Sequence, residues 1–200
     1  MLAPYILSIG IAVDATSVYW AENGEGAIMK VDKNGGAASV LAAAESPYEL
    51  TVDEANVYWT GYDLAAAGGT VMKVPTAGGA PVKLAAGLSV ETLGIVIDQN
   101  NVYFTTGDGR MMQVPKNGGP IHTLSTALGN EPWGIATDGK FVYAVSESLH
   151  GGGSIVRVPV GGGATKVITS GQVAPVGIAV DDCCVYWTDV EAGALTRIAK

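Results

Sequence analysis

Two aromatic residues stand where the chain could bind a flat ligand. Tyr48 and Trp133 each directly precede a short, mainly apolar segment, and Glu131 stands two residues before Trp133. Aromatic rings offer faces on which a sugar or another ring can stack, and carboxylates can accept hydrogen bonds from hydroxyl groups. Glu91 holds the position that corresponds to Glu131 ahead of another such segment. The pattern predicts a site for a glycan or a small molecule formed by Tyr48, Trp133, Glu91 and Glu131.

Two carboxylates could bind a metal ion. Glu22 and Asp189 occupy the same position in the first and the last copy of an internal repeat described below. Paired carboxylates in loops can hold Ca²⁺ together with backbone carbonyl groups, and the alternative is a solvated acidic rim. The sequence contains no EF-hand loop, P-loop, dinucleotide-binding motif or zinc-ligand spacing. We therefore expect no cofactor, with Ca²⁺ at Glu22 and Asp189 as the one possibility.

Residues suited to catalysis are few. The two histidines, His122 and His150, fall in different segments of the chain. His150 begins a His-Gly-Gly-Gly run that is similar to the oxyanion motif of esterases, but no Gly-x-Ser-x-Gly nucleophile motif accompanies it. The sequence therefore predicts that the protein is not an enzyme.

Cys183 and Cys184 are adjacent, and the chain has no other cysteine. They can pair only with each other or with another chain. A vicinal disulfide, two free thiols and an intermolecular link all remain open. A disulfide would suit an oxidising compartment.

An internal repeat must position these residues. Five copies of a motif like GIAVDATSVYWA begin at Gly10, Glu49, Gly94, Gly134 and Gly177. A period of about forty residues is typical of a repeat architecture. Each motif starts with an apolar run that ends in aspartate, and such an aspartate can bind backbone N–H groups and fix a turn. We expect this structural role for Asp14, Asp53, Asp98, Asp138 and Asp181.

Each repeat reads as four short strands. A β-branched and aromatic segment follows the aspartate, then an alternating segment, a glycine-rich turn and an outer segment. Four antiparallel strands per repeat are typical of a propeller blade. The sequence predicts an all-β fold, a β-propeller of five four-stranded repeats in one domain over residues 1–200. The repeats cover approximately 8–46, 47–90, 91–130, 131–173 and 174–200.

The last repeat stops after its third strand, so we expect the last blade to lack its outer strand. An open sheet edge can pair with another chain. A homo-oligomer formed through this edge is therefore expected as a possibility. An alternative is that the chain is a fragment of a longer propeller array that assembles through the same edge.

Composition excludes some classes of partner. The net charge of −8 leaves no basic surface for a nucleic-acid backbone. No apolar run reaches the roughly 20 residues needed to span a bilayer. The apolar opening MLAPYILSIGIAV lacks a basic region and a cleavage site, so it reads as a strand and not as a signal peptide.

The core motif resembles the YWTD class of propeller repeats, most closely at Tyr186-Trp187-Thr188-Asp189. The entry Pro132-Trp133-Gly134-Ile135-Ala136-Thr137-Asp138 resembles NHL-type and virginiamycin B lyase-like propellers, and the whole pattern is similar to repeat proteins of bacterial cell surfaces. The YWTD propellers have six blades, one more than the repeats found here. The resemblance implies a bacterial protein located outside the cell or in its envelope. The lyases use a histidine and a metal, and His150 is the candidate for that role.

In a propeller the first strands line a central channel, so the residues before them surround its mouth. We therefore predict a non-catalytic extracellular binding or scaffold propeller with a glycan or small-molecule ligand at the channel mouth, and with a protein or glycan as partner. The alternative for the aromatic residues is that they close the mouth. The alternative function is a metal-assisted lyase or hydrolase on the same face, whose loops contain Asn23, Glu25, Tyr62 and Asp63.

Overall fold

The computed structural model describes residues 8–129, 131–146 and 152–200. All regular secondary structure in these residues is β-strand, and 19 strands form five antiparallel sheets. Four sheets contain four strands and the last contains three. The predicted series of five repeats, with the last lacking its outer strand, is confirmed.

Within each sheet the strands follow one another in chain order. The first sheet contains β1 (Ser8–Val13), β2 (Ser17–Glu22), β3 (Ala27–Asp32) and β4 (Ser39–Ala43). The second contains β5 (Pro47–Val52), β6 (Asn56–Asp63), β7 (Gly68–Pro75) and β8 (Val82–Leu88). The third contains β9 (Thr92–Ile97), β10 (Asn101–Thr106), β11 (Met111–Pro115) and β12 (His122–Ser125). The fourth contains β13 (Ile135–Thr137), β14 (Phe141–Ser146), β15 (Gly153–Pro159) and β16 (Lys166–Gln172). The fifth contains β17 (Pro175–Val180), β18 (Cys184–Asp189) and β19 (Ala194–Ala199).

The chain divides into two compact units, Met1–Ile95 and Val96–Lys200. The first unit contains the first two sheets and the start of β9. The second unit contains the rest of the third sheet and the last two sheets. The single domain expected over residues 1–200 stays a prediction.

The aspartate after each first strand fixes the turn to the second strand, as the sequence predicts. Asp14 accepts hydrogen bonds from the backbone N–H groups of Thr16 and Ser17, both at 2.7 Å, and from the Tyr19 hydroxyl at 2.8 Å. Burial raises the pKa of Asp14, but these bonds outweigh it and hold the pKa at about 2. The same arrangement of two backbone donors and one tyrosine recurs at Asp53, Asp98, Asp138 and Asp181.

Neighbouring sheets pack face to face inside each unit. In the first unit, Tyr19, Ala21 and Ile28 of the first sheet share one core with Val57 and Trp59 of the second. Burial of such side chains stabilises the fold by about 1.5–3 kcal/mol for each large one. In the second unit, one core joins the third and fourth sheets and another joins the fourth and fifth.

Two glycines let the inner strands of adjacent sheets approach closely. A Cβ atom on Gly10 would lie 2.8 Å from the backbone nitrogen of Leu50 in the next sheet. A Cβ atom on Gly134 would collide with the backbone oxygen of Val176 in the next sheet. The glycine that opens these repeat motifs is therefore a packing requirement between sheets.

The described residues include no helix with the length and hydropathy of a membrane-spanning segment.

Candidate functional site

Two of the four residues predicted at the channel mouth come together in the first unit. Tyr48 lies in β5 and is half-buried, while Glu91 is half-buried just before β9. Burial raises the pKa of Tyr48, and electrostatic interactions with Glu91 and Tyr62 raise it further. Glu91 and Tyr62 are thus near enough to Tyr48 to influence its ionisation. Carboxylate and phenol groups can accept and donate hydrogen bonds to a polar ligand.

Glu49, next to Tyr48, was not among the residues predicted to form a site. It stands where four of the five repeats have glycine, and that substitution was a signal available in the sequence. Burial raises the pKa of Glu49 to about 7, although the Leu50 N–H group opposes the change by bonding to the charged carboxylate. The Thr60 hydroxyl holds the backbone of Glu49 from β6, at 3.2 Å from its nitrogen. Glu49 therefore has a backbone held by Thr60 and a carboxyl group whose pKa lies near neutral pH.

A groove of about 700 Å³ lies between the first two sheets of the first unit. The β2–β3 turn, the connection from β4 to β5 and the β6–β7 turn line it, together with parts of β7 and β8. Its polar residues are Asn23, Glu25, Glu45, Ser46, Asp63, Thr70 and Lys83. The volume falls within the range of about 300–1,000 Å³ that is usual for small-ligand sites.

The rim of this groove is acidic. Glu25 and Glu45 are exposed, and Lys83 is bound to Asp63 at 3.0 Å. The N–H group of Ala66 and the Lys83 ammonium group lower the pKa of Asp63, so this carboxylate stays charged. Trp59 and Met72 supply apolar surface beneath. Asn23, Glu25 and Asp63 were predicted in loops of one face, whereas Glu45 was not among the predicted site residues.

The other two residues predicted at the mouth, Trp133 and Glu131, lie in the second unit. Trp133 is half-buried and Glu131 is exposed, with a backbone φ of 47°. The Thr105 hydroxyl donates to the carbonyl of Pro132 at 2.5 Å, and the Glu131 N–H group donates to the Gly107 carbonyl at 3.2 Å. These bonds fix the segment that enters β13. The common site for all four residues stays a prediction.

The two residues predicted to bind Ca²⁺ are both buried. Glu22 ends β2 and Asp189 ends β18, with exposed fractions of 6% and 5%. The carboxylate of Asp189 accepts hydrogen bonds from the N–H groups of Val173, Ala174 and Ala192. The bond from Ala192 is the largest cause of the lowered pKa of Asp189. Asp189 therefore fixes two loops, and Ca²⁺ at this pair stays a prediction.

Cys183 and Cys184 are free thiols at the tip of the β17–β18 turn. Their sulfur atoms are 2.7 Å apart, and Asp181 accepts hydrogen bonds from both backbone N–H groups. The hydrogen bond with the Cys184 thiol raises the pKa of Cys183 to about 11, and Asp181 raises it too. Among the described residues, Asp181 and the two thiols are the group of metal-ligating atoms that converge, within 4.8 Å of one another. The vicinal disulfide stays a prediction.

His150, the predicted candidate for the lyase role, lies outside the described residues, so that role stays a prediction. His122 lies exposed in the outer strand β12.

Comparisons with solved structures establish the fold. No family model matches the chain, and a search of curated proteins found no match. A chain of a nidogen/laminin complex has a TM-score of 0.80 at 20% identity, covering 100% of this chain and 78% of that chain. The chain is a β-propeller. The predicted resemblance to YWTD-type propellers is confirmed at the level of the fold.

Other neighbours of this propeller are enzymes. The PQQ-bound aldose sugar dehydrogenase from Streptomyces coelicolor has a TM-score of 0.72 at 14% identity, covering 96% of this chain and 77% of that chain. A gluconolactonase from Xanthomonas campestris has a TM-score of 0.69 at 18% identity, covering 94% and 71% respectively. At these identities the likeness shows the fold alone, because propellers host binding proteins and enzymes alike.

Proposed function

We propose that the protein is a non-catalytic binding propeller, and that its first unit holds a small ligand rich in hydrogen-bond donors. The observation that carries this proposal is the groove of about 700 Å³ between the first two sheets, with exposed Glu25 and Glu45 on its rim. Carboxylates accept hydrogen bonds and repel anions, so sugar hydroxyls or an amine suit the groove better than a phosphate or a carboxylate. The net charge of −8 also favours a neutral or cationic ligand over an anionic one.

The nidogen/laminin neighbour comes from a complex between proteins, which supports binding as the kind of function. A position outside the cell or in its envelope agrees with the resemblance to surface repeat proteins. The adjacent cysteines would tolerate that oxidising compartment.

A glycan array combined with a thermal-shift screen of sugars and small amines tests the proposal. For a ligand found this way, the double variant Glu25→Gln/Glu45→Gln should bind at least tenfold more weakly. A hydrogen bond to a charged group contributes about 1.5–3 kcal/mol, and tenfold corresponds to about 1.4 kcal/mol. Glu54→Gln is the matched control, because Glu54 is exposed in the β5–β6 turn and does not line the groove.

Variants at the channel mouth separate the two candidate sites. If Tyr48→Ala or Trp133→Ala abolishes binding while the groove variant keeps it, the ligand occupies the mouth and not the groove. A blank array together with a flat thermal-shift screen would remove the binding proposal itself.

A hydrolase or lyase on the same face is the second candidate, and Glu49 is the observation that favours it. A carboxyl group with a pKa of about 7 is suited to general acid–base catalysis at neutral pH. The gluconolactonase neighbour makes sugar lactones reasonable first substrates to test. Turnover that disappears in Glu49→Gln would promote this function over binding, whereas turnover unchanged in that variant would remove Glu49 from it.

A further inference from the structure

The first sheet has one face without a neighbouring sheet in the first unit, and the fifth sheet has one in the second unit. Inside each unit, sheets pack in one direction, and we call the surface that meets the next sheet the forward face. In the fourth sheet the forward face contains Tyr143, Val145 and Ile155, which pack against Val185 and Trp187 of the fifth sheet. Each of these three forward residues is at most 1% exposed.

The fifth sheet repeats this forward face but exposes it. Leu195 pairs with Thr188 in the same register as Ile155 pairs with Val145, so Leu195 and Ile155 are equivalent. Ile155 is fully buried, whereas Leu195 is 73% exposed. An exposed leucine at a position that the same chain buries elsewhere indicates an interface without its partner.

A threonine that bonds to the next sheet elsewhere in the chain also indicates a missing partner. In β6 the Thr60 hydroxyl donates to the carbonyl of Leu93 at the start of the next sheet, at 2.6 Å, and Thr105 in β10 bonds to Pro132 in the same manner at 2.5 Å. The equivalent Thr188 is exposed, and its oxygen accepts a bond from Gly177 of its own sheet at 3.0 Å. Thr60 makes the same bond within its own sheet, from the Glu49 N–H group at 3.2 Å. Thr188 therefore keeps this bond and, among the described residues, lacks the one to a following sheet.

The glycine that makes room for the next sheet elsewhere in the chain is also present in the fifth sheet. Gly10 and Gly134 make room for the backbone of the following sheet, at Leu50 and Val176 respectively. The equivalent Gly177 faces no other backbone, because the one atom near a Cβ placed on it is the Thr188 hydroxyl of the same sheet. The fifth sheet therefore keeps the space for a following sheet, and no described residue of the second unit fills it.

The matching surface is on the first sheet. We call the surface that meets a preceding sheet the rear face, which in the second sheet contains Leu50 and Val52 packed against the first sheet. The equivalent residues of the first sheet, Ile11 and Val13, are 72% and 55% exposed. The first sheet thus presents a rear face of the kind that a forward face buries elsewhere in the chain.

We propose that the forward face of the fifth sheet in one copy packs against the rear face of the first sheet in a second copy. A second copy is the occupant that the structure favours, because this contact would continue the sheet-to-sheet interface already repeated within each unit. The residues for a polar bond across the proposed contact are present as well. Lys30 donates to the carbonyl of Thr76 in the next sheet at 2.8 Å, and Arg197 holds the position of Lys30 while Lys33 holds that of Thr76.

The proposed contact joins two different surfaces, so copies associate head to tail. The proposed contact can therefore be tested with two variants, each of which blocks one of the two surfaces. Leu195→Asp places a charge on the forward face of the fifth sheet, and Ile11→Asp places a charge on the rear face of the first sheet. Both residues are exposed, so we expect each variant to fold. Val82→Asp is the control, since Val82 is an exposed apolar residue of the second sheet and belongs to neither surface.

The assay is light scattering after size-exclusion chromatography, with thermal unfolding to confirm folding. We expect the wild type and Val82→Asp to form species larger than 20.4 kDa, and each blocking variant alone to run at 20.4 kDa. An equimolar mixture of the two blocking variants should form a dimer of twice that mass and nothing larger. A wild type that stays at 20.4 kDa at every concentration, or a mixture that stays monomeric, would overturn the proposal.

Discussion

Replacing Glu49 with glutamine should stabilise the protein at alkaline pH and leave its stability unchanged at acid pH. The pKa of Glu49 is about 7 in the folded protein, against an ordinary value of 4.5. Between these two values the folded chain binds more protons than the unfolded chain, so the free energy of unfolding falls as the pH rises through this window. Above pH 7 the loss is complete, and below pH 4.5 it is absent.

The size of the effect follows from the difference between the two pKa values. A difference of about 2.5 corresponds to about 3 kcal/mol if fully expressed. Glu49 is half-buried, and solvent screening reduces this figure, so we expect about 1–2 kcal/mol. Glutamine has the same shape and no charge, so Glu49→Gln should exceed the wild type by this amount at pH 8 and match it at pH 4.

Urea denaturation of both proteins at a series of pH values measures this difference. Glu54→Gln controls for the change in net charge, because it removes one charge from an exposed turn. A difference between Glu49→Gln and wild type that does not depend on pH would refute the reasoning, as would a variant that is less stable at pH 8.

Further predictions concern the turns, the contacts between sheets and the thiols. Tyr103→Phe should lower the free energy of unfolding by about 1–2 kcal/mol, because it removes a hydrogen bond of 2.7 Å from the buried Tyr103 to Asp98. The loss should shrink as the pH falls from the ordinary carboxyl pKa of about 3.9 towards the lowered pKa of Asp98 in the folded protein, and urea denaturation at two pH values will show whether it does. Gly134→Ala should cost about 1–3 kcal/mol in thermal or urea unfolding, because its methyl group meets the backbone of the next sheet, whereas Gly161→Ala has open space and should change the stability by less than about 0.5 kcal/mol; equal effects of the two substitutions would contradict the packing argument. Mild oxidation should remove both thiols of Cys183–Cys184 without joining two chains, because the sulfur atoms are 2.7 Å apart; thiol titration and non-reducing electrophoresis check this, and a covalent dimer would show the intermolecular link instead.

Much of the fold could be predicted because the repeat motif occurs five times in the sequence. Each aspartate at the end of a first strand predicted a turn, and the hydrogen bonds of Asp14 and its equivalents confirm it. The tyrosine that completes each turn was visible as part of the motif, but its bond to the aspartate was not. That bond joins residues five positions apart, which meet only once the hairpin has formed.

The candidate site could be predicted less well, because it depends on which sheets lie side by side. The groove on the first unit is made by turns and connections of two sheets, so no single motif encodes it. Glu45 lies in a connection whose sequence has no distinguishing feature. The raised pKa of Glu49 results from burial by its surroundings, a property that neither the residue type nor its spacing contains.

The repeat itself indicates where function should be sought. A residue that recurs in all five copies, such as Asp14 and its equivalents, does the same structural task in each, and the bonds to the turn confirm that task. A site present once must therefore use positions at which one copy departs from the rest. Glu49 departs where four copies keep glycine, and the structure gives it a half-buried position and a pKa of about 7 beside Tyr48. A half-buried carboxyl group that weakens the fold when it ionises is hard to explain by packing alone, because glycine at this position would avoid the cost. Glu49 is therefore the residue whose substitution separates a structural from a functional reading of the first unit most directly.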